Sequence, residues 1–361
     1  MEVLVDAHCH CVVAGDVDAT AFERWCTEAD LPAPAGVSYL DGQLGFAVRR
    51  WCAPVLDLPA HAPVAEYLAR RAELGWREAG TRLLRAAGLG ALLVDTGLSA
   101  GLVGLAELST LAGVPVHEVV RLERVAEELN TDAAGFAAAY ATALHARVAG
   151  AVAVKSVIAY RHGLDIPAER PSPAEVTRAA GDWLRAGGGR LTDPVLLRAV
   201  LWTGVDVGLD TGLPLQLHTG FGDRDLPLSR ADPALAQPFL AAVSSPVVLL
   251  HGYPYHRQAG WLALVYPHVY ADVGLTLNHL GARAPAVLGE FCELVPAGKL
   301  LFSTDACGLP ELYLTGAAQY RHALRVLLDG WVADGALSTV DADRTASAIG
   351  AGNARRLYRL S

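Results

Sequence analysis

Short apolar runs recur along the chain, and several of them end in a polar residue suited to chemistry. The runs are Val3–Val5, Ala91–Val94, Val116–Leu122, Ala151–Ile158, Pro214–Leu217, Val247–Leu250, Val269–Val273 and Leu300–Phe302. They are near-continuously apolar rather than alternating, the pattern of parallel strands buried on both faces. The segments between them read as helices. Ser172-Pro173-Ala174-Glu175 combines an N-cap serine, a proline at the first helical position and a glutamate that completes a capping box. Thr192-Asp193-Pro194 opens another helix that runs towards Gly212, and the alanine-rich stretch Ala133–Val148 is helical. Between Val12 and Gly88 the alternation lapses. After Pro32, Pro34 and Gly36 the pattern predicts one helix from about Pro63 to Ala87, with Leu68, Leu74, Leu83 and Leu84 on its apolar face and Gly88 as its stop.

Eight strands alternating with helices predict an α/β fold, a (β/α)8 TIM barrel with a helical insertion after the first strand. A doubly wound open sheet is the runner-up. It would usually carry a glycine-rich phosphate turn after its first strand, where this chain has histidines. The 361 residues suit one barrel with insertions. No linker divides them, since Gly187-Gly188-Gly189 is only a short loop, so residues 1–361 read as a single domain. The insertion, residues 12–88, is expected to cap the barrel mouth or to form a subunit contact, and a homo-oligomer stays open.

Composition narrows the function. Hydrophobic residues make up 52% and charged residues 19%, which fills a large core and argues against disorder. The net charge is −9, and arginines such as Arg49, Arg50, Arg70, Arg71, Arg77, Arg82 and Arg85 are spread rather than clustered, so nucleic acid is not an expected partner. No run of about 20 uninterrupted apolar residues occurs, and no membrane association is expected. The opening MEVLVDAHCHC has neither a basic region nor a long apolar core and predicts no secretory leader. Six scattered cysteines without a CxxC pair predict reduced thiols in a cytoplasmic protein.

The strand ends carry the chemistry. His8 and His10 follow the first run, Lys155 lies in the fourth, and His218 and His251 close the fifth and sixth. Asp305 follows the eighth. Residues i and i+2 of a strand share a face, so His8 and His10 point together while Cys9 points away. In a barrel all strand carboxyl ends meet at one rim. Imidazoles and a carboxylate from four strands therefore surround one point, and that donor set suits zinc or another divalent ion at roughly 2.0–2.2 Å. A lone HxH would be weak evidence; the ordered set is specific. Lys155 and Lys299 are the only lysines, so a lysine inside an apolar strand stands out.

The order HxH, Lys, His, His, Asp resembles the amidohydrolase superfamily, and within it the amidohydrolase-related branch of the nodulin/FluG type, found fused to or beside glutamine-synthetase-like proteins. The matching stretches are Val5-Asp6-Ala7-His8-Cys9-His10, Val154–Arg161, Gln216–Asp223, His251–Arg257 and Phe302–Ala306. They span most of the chain and are weakest between residues 12 and 88. The resemblance implies a metal-dependent hydrolase that cleaves an amide C–N bond of a small carboxylate-bearing substrate, with a γ-glutamyl amide as one such compound. It implies one or two divalent ions, zinc foremost, on His8, His10, Lys155, His218, His251 and Asp305. Asp305 would also be the general base for metal-activated water, and His251 either a ligand or a group polarising the substrate carbonyl. Lys155 would be a carbamylated bridge between two ions, a charged clamp for a substrate carboxylate, or a salt-bridged structural residue. Tyr160, Arg161, Asp223, Tyr253 and Arg257 are the candidate substrate contacts. Arg161 suits a carboxylate, Asp223 an amine, and the Tyr253–Arg257 loop a pocket wall. Arg121 and Glu123 at the end of the third strand are candidates for ion pairs. A non-oxidative decarboxylase and a non-catalytic metal-binding barrel are the alternatives.

Overall fold

The structure, a computed structural model, describes residues 3–98 and 100–360, so Met1 and Glu2 of the opening stretch lie outside the described residues. Eight strands form one sheet in sequence order: β1 (Leu4–Cys9), β2 (Leu89–Asp95), β3 (Val116–Arg121), β4 (Ala153–Ser156), β5 (Leu215–Thr219), β6 (Val247–His251), β7 (Val269–Asp272) and β8 (Leu300–Leu301). Every neighbouring pair is parallel. The chain after β8 returns to β1 through backbone hydrogen bonds from Ala7 N to Phe302 O (3.1 Å), Asp305 N to His8 O (2.9 Å) and His10 N to Ala306 O (2.8 Å). The sheet thus curls into a nearly closed barrel, as its alternating pattern predicts.

Two cores follow from burial on both faces. The interior holds Val5, Ala7, Leu93, Val119, Val248 and Leu301, stoppered by Ala354, Leu357 and Tyr358 from the end of the chain. The other, far larger, lies between the strands and the surrounding helices. The predicted helices form at Phe136–Arg147, at Pro173–Arg185 with the Ser172/Glu175 capping box, and at Pro194–Thr211 with Gly212 at its end in the left-handed conformation.

The insertion contains four α-helices: α1 (Ala19–Trp25), α2 (Gln43–Trp51), α3 (Val64–Leu74) and α4 (Trp76–Ala86). The single helix expected over 63–87 is therefore two. Gly75 adopts φ 74°, a conformation that costs glycine little, and its N–H closes α3 on Arg71 and Ala72. A buried network fastens this insertion to the barrel. The Arg71 Nε donates to Glu311 Oε1 at 2.7 Å and the Tyr67 hydroxyl donates to the same oxygen at 2.9 Å. Glu311 begins the long helix Pro310–Ala333, whose Tyr313 hydroxyl donates to the His10 carbonyl. Removing one partner of a buried ion pair strands the other charge, at a cost of about 3–5 kcal/mol. Glu311→Ala should lower stability to chemical denaturation by about that amount, and the double variant Arg71→Met/Glu311→Leu by much less. A Glu311→Ala loss within about 0.5 kcal/mol would show that Arg71 is not held as described.

Candidate metal centre

The inward face of β1 changes parity along its length. Val5 belongs to the interior core, whereas His8 Nδ1 meets Gln216 Oε1 inside the barrel at 2.8 Å. Residues of odd and even number cannot share a face of a regular strand, and the pairing of β1 with β2 is irregular between Asp6 and Cys9. This bulge turns His8 and His10 to the mouth and sends the Cys9 thiol outward to Leu93 O (3.5 Å). Two other residues of the set have left-handed backbones: His251, the last residue of β6, at φ 69°, and Asp305 at φ 49°. Such conformations are costly for residues with a side chain and cluster at functional sites.

The distances are those a coordination sphere would need. Asp305 Oδ1 lies 3.2 Å from His8 Nε2 and 3.5 Å from His10 Nε2, and Asp305 Oδ2 lies 3.4 Å from His251 Nε2. Donors at about 2.1 Å around a tetrahedral ion stand about 3.4 Å apart. His8, His10 and Asp305 offer donor atoms that all lie within 4.8 Å of one another. His218 adjoins this group, its ring 4.7 Å from that of His251. Both nitrogens of His251, Nε2 of His218 and Oδ1 of Asp305 are buried without a hydrogen-bond partner. Buried polar atoms rarely stay unsatisfied, and a cation at their centre would satisfy them. The donor chemistry therefore fits a divalent ion.

Electrostatics prepares the same chemistry. Burial, aided by the Lys155 charge, pushes His8 down to about 3, and burial pushes His251 down to about 4. Both are neutral imidazoles, the form that donates to a metal. Burial works against the Asp305 anion, but His251, His10 and His8 beside it hold the carboxyl well below its ordinary range. The rings of His8 and His10 are aimed from outside the centre. The Gln216 amide reaches back to Ala7 O (2.8 Å) and the Tyr358 hydroxyl (2.9 Å), while His10 Nδ1 meets Asp95 O at 3.2 Å.

Lys155 also points inward. Its Nζ lies 2.8 Å from His8 Nε2 and 3.2 Å from Asp95 Oδ2. Asp95 is fully buried and takes a fork of hydrogen bonds from Arg121, at 3.1 and 2.6 Å. Burial opposes its charge, yet Arg121 and Lys155 hold it well below the ordinary carboxylate range. Arg121 thus has the ion pair expected of it, and Glu123 instead accepts from the Ser156 hydroxyl at 2.6 Å. Neither Asp95 nor Gln216 stands out as functional in the sequence. Asp95 did carry a signal, a carboxylate directly after an apolar run, and Gln216 sits two residues before His218 on the same strand face.

A cavity of about 780 Å³ opens over the centre, lined by His10, Lys155, His218 and Asp305 and by residues of the insertion. Tyr160 and Asp223 line it as expected, with the Tyr160 ring 4.6 Å from His218. Arg161 reaches its wall but is held by Glu127 (2.7 Å) and Leu191 O (3.2 Å). The other two expectations need correcting. Tyr253 is not in the lining; it stacks on His256, with ring centroids 5.5 Å apart. Arg257 lies on an exposed face of the helix His256–Val265, where it pairs with Glu293 at 2.9 Å. The loop after β6 coils into that helix at once and carries both side chains away from the mouth. His279, with no expected role, lies at the cavity near Glu28, 3.4 Å away.

The amidohydrolase family model matches residues 5–360. The chain belongs to the amidohydrolase family. This amidohydrolase is 29% identical to a Lactobacillus casei ATCC 334 protein provisionally described as a metal-dependent hydrolase, whose crystal structure matches it with a TM-score of 0.86 over 99% of this chain and 95% of that one. It is 35% identical over 222 residues to Protein fluG of Emericella nidulans, an alignment covering 58% of this chain and 26% of that protein. The chain therefore accounts for about a quarter of that relative's length. Uronate isomerase of Thermotoga maritima shares the fold, at a TM-score of 0.64 and 14% identity over 99% of this chain and 94% of that one. Among the described residues no helix is long and apolar enough to cross a membrane. All six cysteines are free thiols.

If these side chains form one centre, its affinity depends on β1. The double variant His8→Ala/His10→Ala should lose essentially all bound metal by elemental analysis of the purified protein. Full stoichiometry in that variant would refute the site.

Proposed function

We propose that this amidohydrolase is a metal-dependent hydrolase that cleaves an amide C–N bond of a small carboxylate-bearing substrate, with zinc as the working ion and Asp305 as general base. One observation carries the reading: a carboxylate kept ionised stands at coordination spacing from three imidazole nitrogens, beneath a cavity of substrate size. A divalent ion bound there would polarise the scissile carbonyl and lower the pKa of water towards about 7. Asp305 has two oxygens with different neighbours, Oδ1 by His8 and His10 and Oδ2 by His251. One is free to take the proton of the attacking water and return it to the departing amine. His218 Nε2, buried and unpartnered beside Tyr160, would hold the ion or face the scissile carbonyl of a bound substrate. Burial pushes the Tyr160 phenol far above its ordinary value, so it stays a proton donor at neutral pH.

The surroundings of Lys155 support a single ion. A carbamate there would set a second anion against the buried Asp95 carboxylate, whereas an ammonium completes the Asp95–Arg121 cluster. With one ion, Lys155→Ala should leave the metal content per chain unchanged while weakening catalysis. A loss of about half the metal would instead establish a bridging, carbamylated lysine.

The reaction itself is tested on a panel of N-acyl and γ-glutamyl amides, followed by release of amine from metal-replete protein. Asp305→Asn, assayed with metal in excess, should lower kcat by roughly 10²–10⁴-fold, the usual contribution of a positioned acid–base group. No amine release from the wild type, with carbon dioxide released from a carboxylate panel, would replace hydrolysis by decarboxylation.

A further inference from the structure

The cavity wall carries more positive charge than it presents to a ligand. Arg121 and Lys155 are committed to Asp95, Arg161 to Glu127, and Arg190 to Asp225 at 2.5 Å. Arg24 is the exception: it lines the same cavity and has no carboxylate partner among the described residues. It also stands on a fixed support. Helix α1 is capped by the Asp18 carboxylate, which accepts from Ala21 N at 2.8 Å. On one side of Arg24, Phe22 is buried against Tyr67, with ring centroids 5.9 Å apart. On the other, the Trp25 indole packs so closely on Gly308 that no side chain fits there. Gly308 lies three residues past Asp305, so α1 is seated on the rim that carries the candidate metal centre.

We propose that Arg24 is the residue that recognises the substrate carboxylate, taking the place that the sequence pattern suggested for Arg161. An exposed guanidinium at the rim of the cavity, without a carboxylate partner of its own, presents a planar fork matched to a carboxylate. The neighbouring Trp25 and Leu98, also in the lining, supply an apolar wall for the carbon chain that joins this carboxylate to the scissile amide. The substrate class is then a compound with a free carboxylate at one end and the amide at the other. This rests on the hydrolytic reading for the amide end only; the carboxylate end is carried by the charge arrangement alone.

Calorimetric titration of metal-replete protein with glutarate and with glutaramide separates the two. Glutarate should bind the wild type, and Arg24→Ala should weaken it roughly threefold to fivefold, the worth of an exposed ion pair of good geometry. Arg24→Lys, which keeps the charge and loses the fork, should fall between. Glutaramide affinity and metal content should not change in either variant. Wild-type protein that does not bind glutarate, Arg24→Ala protein that binds it as tightly as wild type, or an equal loss for both probes would overturn the assignment. Amide hydrolysis is scored separately on the same preparations. Protein that passes the titration but releases no amine keeps the carboxylate site and loses the hydrolytic reading. Protein that releases amine with glutarate affinity untouched by Arg24→Ala keeps hydrolysis and loses Arg24.

Discussion

Everything at the mouth of this barrel depends on how its first strand meets the chain that leaves its last. Three backbone hydrogen bonds join residues 7–10 to residues 302–306, and the Asp6 carboxylate fixes Thr304 through both its N–H (2.9 Å) and its hydroxyl (2.5 Å). That seam places Asp305 against two histidines nearly three hundred positions away in sequence. It also explains the two irregularities of the site. The bulge in β1 is needed because a regular strand cannot aim Val5 into the core and His8 into the mouth. The left-handed Asp305 is needed because its N–H must bond His8 O while its carboxylate turns inward.

Charge is arranged in two layers around the seam. In the inner layer burial keeps the His8 and His251 imidazoles neutral, and the neighbouring rings hold the Asp305 carboxyl well below its ordinary range. The outer layer is the buried triplet Asp95, Arg121 and Lys155, in which one anion serves two cations. Leaving any member of such a triplet alone would be costly at this depth. Burial keeps the His8 imidazole neutral, and the adjacent Lys155 charge adds to that effect. The inner layer is thus held ready by groups that need not touch an ion.

The sequence makes much of this readable, and the limits have physical causes. The strands and the convergence of His8, His10, His218, His251 and Asp305 follow from the side-chain period of a strand and the polarity of a parallel barrel, which are local or fixed by topology. The division of the expected helix at Gly75 is not readable in that way, because a glycine within a helical pattern costs only about 1 kcal/mol and tertiary packing decides whether the helix breaks. Tyr253 and Arg257 mislead for a different reason. A residue just past a strand faces the mouth only while the chain stays extended, and here a helix begins at His256. Arg161 stands on the cavity wall, but its availability depends on Glu127, which no pattern near Arg161 reveals.

The remaining part of the site comes from where the family pattern is weakest. The family model spans residues 5–360, and a barrel 29% identical to this one keeps nearly the whole backbone course. Such conservation of frame constrains the reacting centre and leaves the far end of a substrate undetermined. Under the proposed reading that end would meet α1 and the residues after it, in the insertion between β1 and β2. An insertion free to drift would discriminate poorly, since each unfixed side chain must be ordered on binding. This one is not free, because Arg71 and Tyr67 tie it to Glu311 while Tyr313, two residues on, holds the backbone of His10. The group that would choose the substrate and the strand that would carry the metal are therefore referenced to the same helix, so their separation is set by packing rather than by loop flexibility.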